Sequence, residues 1–252
     1  MVQTDSSKLD TDLQTRNDLN VSHSLYGEDN LASLFSNTCS VGGKEILREW
    51  ACNPISDINI LSNRVNAIRI GGLPNLSVDG DSLDFIEYYL NYDEPVPQVM
   101  SGLITYYGWL KDKFSKRPWV YVKEQGCYLL CELFYNLGKS VEICNDDDPV
   151  MVRQMAQSIH WYLESNVFDS LPFYGNLKGG FEIDKLDYIF RNKGKLAVRG
   201  LLDIVYLQDA LLTAHSVAEK NGFCYPEFVS DNTVLDVKGF FHPQLPNAVK
   251  ND

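Results

Sequence analysis

Residues 40–70 read SVGGKEILREWACNPISDINILSNRVNAIRI, and this stretch decides the fold class. From Lys44 to Trp50, the side chains of Ile46, Leu47 and Trp50 share one helical face, while Lys44, Glu45, Arg48 and Glu49 take the other. Gly42 and Gly43 stand where that helix should begin. Pro54 ends it, because proline has no N–H to donate and its ring clashes with the carbonyl one turn back. Ser56, with Asn59 three residues on, is a weak capping pair for a second helix. There Ile58, Leu61, Val65 and Ile68 recur at 3, 4, 3 spacing, a stripe for burial. Helix, proline corner, helix is the expectation, with Trp50 buried at the corner.

Helical periodicity dominates the rest of the chain. Gly71–Asp81 (GGLPNLSVDGD) has turn chemistry, and Ser82–Tyr92 is a short helix with Leu83, Ile86 and Leu90 inward. Pro95 and Pro97 precede a helix from about Gln98 to Phe114, and Arg117 with Pro118 marks a corner before a long helix from Val120 to Ile143. Asp146–Asp148 with Pro149 signals the start of another, ending near Ser165. Phe181–Asn221 reads as one helix spanning roughly 60 Å at the usual rise, with Gly194 and Gly200 as its weak points. Asn221 and Gly222 stop it. At the N-terminal side, Leu9–Val21 alternates enough for a short extended arm, and Val234, Leu235 and Val237 resemble a strand. The fold class is therefore mainly α, multi-helix, with a short N-terminal extended segment and a C-terminal strand pair.

The chain has 252 residues and 44% apolar side chains, enough to bury a core. No apolar run approaches the roughly 20 residues of a membrane helix, and the N-terminus lacks a hydrophobic signal region, so a cytoplasmic protein with no membrane partner is expected. The six cysteines, Cys39, Cys52, Cys127, Cys131, Cys144 and Cys224, show no CxxC spacing, which argues against zinc and disulfides alike. Acidic residues outnumber basic ones 34 to 22, for a formal charge of −12. Duplex DNA affinity comes mainly from cations that neutralise phosphates, so this chain should bind DNA weakly or not at all. Its basic clusters, Lys111, Lys113, Lys116 and Arg117, then Arg191, Lys193, Lys195 and Arg199, read as solvated faces.

Order and spacing of short motifs carry a family resemblance. Asp10, Thr15 and Leu19 are followed by Ser33 and Leu34, then by Gly43, Leu47, Arg48, Trp50 and Pro54, with Arg64 and Val65 in the next helix. At the far end, YPEFV (225–229) precedes VLDVKGFFHPQLPNAVKND (234–252), with a His-Pro pair at His242 and Pro243. This series resembles the MutS family of DNA mismatch-repair ATPases, in its core and lever region up to the start of the ATPase domain. The resemblance implies a tail and arm over 1–26, a helical core and lever domain over 27–222, and a β segment over 223–252 beginning a truncated ATPase domain. It implies DNA as partner of a full-length parent, ATP and magnesium as that parent's cofactors, and a possible homodimer. Ala248 and Val249 lie where family members set an aromatic and an aliphatic side chain against adenine; Val249 fits and Ala248 departs from the pattern.

Other motifs dissolve on inspection. Gly42, Gly43 and Lys44 lack the first glycine and the final hydroxyl of a phosphate loop, since Thr38 and Glu45 hold those places, and no other GxxxxGK exists. The chain is expected to hold no nucleotide by itself and not to be an enzyme. Phe85-Ile86-Glu87 matches the bare pattern of a DNA-wedging aromatic but sits in an amphipathic helix, where packing explains it. His160 and His215 read as helix-packing residues, and no histidine has a nucleophile beside it in sequence. No catalytic or metal-binding residue is expected. A helical protein-interaction scaffold that never touches DNA is the competing expectation, and the acidic balance favours it.

Overall fold

The structure, a computed structural model, describes residues 14, 31–35, 37–96, 110, 118–168, 181–229 and 236–241. It is mainly helical: α1 Val41–Cys52, α2 Ile58–Arg69, α3 Gly80–Leu90, α4 Pro118–Ile143, α5 Val150–Leu163, α6 Phe181–Tyr188 and α7 Lys195–Asn221. A 3-10 turn spans Leu31–Phe35, and a π turn, Ile189–Lys193, stands between α6 and α7. The chain forms two compact units, one of residues 1–72 with 210–252 and one of residues 73–209, so α7 supplies residues to both.

In the first unit the proline corner is present. Ser40 caps α1, its Oγ accepting from the Gly43 N–H at 2.9 Å. For α2 the cap is Asp57 rather than Ser56, since its Oδ1 reaches the N–H groups of both Asn59 and Ile60. A carboxylate at this place also faces the positive end of the helix dipole. Leu47 meets Ala210 and Ala214 of α7, with Phe35, Ile46, Trp50 and Ile68 closing around them. The expected stripe is thus only partly right. Ile58, at the exposed first turn, is 41% accessible, and Ala67 is the fully buried residue of α2. Trp50 is half-buried, not buried as expected, and the Arg64 guanidinium lies over its ring, 4.2 Å from the centroid. Gly222 (φ +63°) ends α7 in the left-handed conformation, allowing the Phe223 N–H to reach the Ala218 carbonyl at 2.9 Å.

The second unit is organised around α4, which packs against α3, α5 and α6. Its inward face runs Trp119, Val122, Cys127, Leu130, Cys131, Phe134 and Leu137, all buried. The connection before α3 is pinned rather than loose. Buried Gln208 accepts from the Leu73 N–H at 2.7 Å and donates to the carbonyls of Leu73 and Leu76, while Ser140 donates to the Pro74 carbonyl at 2.6 Å. Asp79 caps α3, so Gly80 and Asp81 belong to the helix and not to the expected loop. Pro149, not an aspartate, is the N-cap of α5, and Asp148 instead accepts from the Asn145 N–H to close the preceding turn.

The single helix expected over Phe181–Asn221 is interrupted. The Gly194 N–H bonds the Ile189 carbonyl at 2.6 Å, five residues back, and a Cβ on Gly194 would meet Val167 Cγ1 at 2.8 Å and Phe168 Cε1 at 3.2 Å. The break falls at Gly194, one of the two weak points expected, and the apolar spacing continues across it because a π turn inserts one residue without abolishing the buried face. Residue 14, within the expected extended arm, is helical. The rest of the arm, the Gln98–Phe114 helix apart from Leu110, and residues 230–235 lie outside the described residues. The described part of the C-terminal segment, 223–229 and 236–241, holds no strand, only a bridge position at Phe240.

Two substitutions test the packing. A Cβ at Gly126 would stand 2.2 Å from Cγ of the fully buried Tyr89 ring, so Gly126→Ala should destabilise by about 1–3 kcal/mol in urea unfolding. Trp50→Ala should cost less than the roughly 3–5 kcal/mol of a fully buried aromatic.

Candidate functional site

Chemistry-bearing side chains concentrate at the helix break of the second unit. Asp187 lies in the last turn of α6 and Arg191 in the π turn, and their side chains are only 6% and 5% exposed. Arg191 Nη1 is 3.6 Å from Asp187 Oδ1. Its Nη2 donates to the carbonyls of Tyr92 and Glu94, both at 2.8 Å, so the guanidinium holds the chain that leaves α3. The same cation lies 4.6 Å from the centroid of Trp119 in α4. Tyr89 donates to Asp187 Oδ1 at 2.8 Å and approaches Cys127 Sγ at 3.4 Å. One turn away, buried Lys123 pairs with Asp184. Five segments therefore meet at one desolvated ionic cluster.

The surroundings set the protonation of each group. Burial raises the Asp187 carboxyl above its ordinary value, and Arg191, Tyr89 and Lys123 offset this only in part. Burial likewise pushes the Cys127 thiol and the Tyr89 phenol well up, with Asp187 adding to both. Cys131 is pushed up to about 12 by burial. Both thiols are thus enclosed and protonated at neutral pH. Among the described residues no group of three or more His, Cys, Asp or Glu could hold a metal ion. Arg191 Nε has no hydrogen-bond acceptor among the described residues, so the cation is held but not saturated.

A second cluster lies nearer the surface. Arg199 forks onto Glu87 at 2.6 and 2.7 Å and reaches Asn91 Oδ1 at 3.2 Å, and Tyr206 donates to the same carboxylate. Burial acts to raise Glu87, but the hydrogen bonds from Arg199 and Tyr206 outweigh it and hold the carboxyl below its ordinary value. Beside it, Glu87, Tyr88, Asn91, Tyr92 and Asp93 border an open depression of about 480 Å³.

The sequence-based candidates fall out as follows. Ala248 and Val249 lie outside the described residues, as do Lys111, Lys113, Lys116, Arg117 and His242. Of the second basic cluster only Lys193 and Lys195 are solvated; Arg191 and Arg199 are spent on internal carboxylates. Phe85 packs edge-on against Tyr88 and Tyr121 in α3, and Glu87 serves Arg199. His160 is exposed and pairs with Glu164 at 3.1 Å, contrary to a packing role, because it falls on the wet side of α5. His215 is half-buried, with Nδ1 3.3 Å from the Tyr225 hydroxyl. Sequence reading missed the ionic joint altogether. Its only trace was Asp184, Asp187 and Arg191 falling on the apolar side of a helical pattern at 3 and 4 spacing.

No family model, curated protein or solved structure matches the chain.

The two clusters should respond to pH with opposite signs. Glu87 is held below its unfolded value of 4.5, so its stabilisation is present above that pH and lost as pH falls through the folded value. Asp187 is raised above 3.8, so its contribution is full below that pH and lost as pH rises through the folded value. Urea midpoints from pH 3 to 7 should show Glu87→Gln flattening the acid-side loss and Asp187→Asn flattening the decline on the rising side. Arg191→Met should cost about 3–5 kcal/mol, since it leaves a buried carboxylate without its cation.

Proposed function

We propose that this chain is the core and lever part of a MutS-like ATPase, coupling nucleotide turnover to DNA binding in a full-length parent. The observation that carries the reading is the helix, proline corner, helix of α1 and α2, which buries Leu47 against Ala210 and Ala214 of α7. Of the motifs behind the resemblance, Gly43, Leu47, Arg48, Trp50, Pro54, Arg64 and Val65 lie in this corner. α7 is a 27-residue rod that supplies residues to both compact units, which suits an element that carries displacement. Transmission also requires an element with two arrangements. The unsaturated ionic joint at the π turn is the candidate for that element, because π bulges occur frequently at functional sites.

The second reading, a helical scaffold for a protein partner, is favoured by the −12 charge and by the internal use of Arg191 and Arg199, which leaves few cations for phosphates. The coding frame separates the two. Under the first reading it continues past Asp252 into a GxxxxGK[ST] loop, and the encoded product hydrolyses ATP at a rate that duplex DNA changes. A frame that ends without such a loop, or a product indifferent to DNA, overturns it. The 252-residue chain alone is expected to show no duplex binding at micromolar concentration and physiological salt, measured by fluorescence anisotropy.

A further inference from the structure

At the C-terminal end of α3, two tyrosine rings form a corner partly open to solvent. Tyr88 and Tyr92 stand at 89° to each other with ring centroids 5.3 Å apart. Each is buttressed from another side, since Phe85 meets Tyr88 edge-on at 6.2 Å and Trp119 stacks on Tyr92 at 5.0 Å and 25°. Tyr88 is nevertheless 55% exposed, and both rings border the depression of about 480 Å³ together with Glu87, Asn91 and Asp93. Small-molecule sites typically occupy roughly 300 to 1,000 Å³.

The electrostatics of this corner favour a positive charge. The last turn of α3 and its cap, Asn91, border the depression, which places the partly negative end of the helix beside it. Asp93 adds an exposed carboxylate. Glu87 is held ionised by Arg199 and Tyr206, and Asp203, one turn beyond Arg199, is within electrostatic reach of both Glu87 and Arg199, so that cation already meets more than one carboxylate. A cation in the angle of the two rings can lie within about 6 Å of both centroids, the reach of cation–π attraction.

Hydrogen bonding decides which kind of cation. Each Glu87 oxygen already accepts two bonds, Oε1 from Arg199 and Tyr206, and Oε2 from Arg199 and from Asn91 Nδ2 at 3.1 Å. The carboxylate thus supplies field but no spare acceptor. A primary ammonium would bring three N–H donors that Glu87 cannot serve. A quaternary ammonium has no donor to satisfy, and ring faces with nearby negative charge are all it requires.

We propose that the corner binds the trimethylammonium group of a choline-type ligand, with Tyr88 and Tyr92 as walls and Glu87 and Asp93 as countercharges. The site requires neither ATP nor DNA. Choline, titrated into the whole chain and followed by nuclear magnetic resonance, should bind about tenfold more tightly than 3,3-dimethylbutanol, its uncharged isostere, or ethanolamine, its primary-amine analogue. Tyr88→Ser, with an unchanged circular dichroism spectrum, should weaken choline about tenfold, whereas Tyr88→Phe should retain it. Asp93→Asn should also weaken it, more at low salt than at high. Equal binding of dimethylbutanol makes the corner an apolar groove, and equal binding of ethanolamine makes it a hydrogen-bonding amine site; either overturns the proposal, as does the absence of choline-dependent shifts at tens of millimolar or binding indifferent to Tyr88→Ser. If that variant loses helicity, Asp93→Asn supplies the comparison, and unchanged affinity there at low salt counts against the site. Sedimentation with phosphatidylcholine vesicles that free choline competes away would place the group on a lipid head, and choline binding without sedimentation would place it on a free molecule; the site stands in both cases.

Discussion

A single buried cation holds the second unit's irregular parts together. Arg191 is withdrawn from solvent, its side chain 5% exposed, so its charge must be met by what the fold brings to it: the Asp187 carboxylate, the Tyr92 and Glu94 carbonyls, and the Trp119 face. Each partner comes from a different place, namely α6, the chain leaving α3, and the first turn of α4. None of these segments could shift far without leaving either a buried charge or a buried carbonyl exposed to an apolar interior, an expense of several kcal/mol. Guanidinium geometry matters here. One terminal nitrogen, Nη2, donates to both carbonyls while the planar group lies against the indole, a stacking that an ammonium group lacks the plane to make.

The break between α6 and α7 follows from the same demand. An uninterrupted α-helix from Phe181 to Asn221 would carry Arg191 at a different angle and pack a side chain where Gly194 now admits Val167 and Phe168. Inserting one residue as a π turn rotates the following helix by about 100° of phase. The apolar sets on either side remain inward: Ile183, Leu186 and Phe190 before the break, and Val198, Leu201, Leu202 and Val205 after it.

This explains which parts of the fold could be read from residues alone. The corner at Pro54, the Gly222 stop and the long helix that ends at Ile143 depend on local chemistry, namely a missing N–H, a left-handed residue and a 3.6-residue period, and each was legible. The caps were half-legible. Ser56 and Asp57 are both competent, and only geometry shows that the aspartate reaches two N–H groups. The ionic joint was not legible, because Tyr89, Lys123 and Asp187 are far apart in sequence and each is unremarkable in its own helix. Trp50 failed for a related reason. Periodicity assigns a residue to a face but cannot say that Arg64, from another helix, will lie over the ring.

The two kinds of packing also differ in what they permit. Around Leu47, Ala210 and Ala214 the contacts are apolar and small, so the lowest-energy arrangement is the one with fewest voids, and alternatives lose contact area continuously. At the π turn the contacts are charged and directional, and Arg191 keeps a donor without an acceptor among the described residues. The apolar corner and the ionic joint thus hold their own units by different means, contact area in one and directed polar contacts in the other.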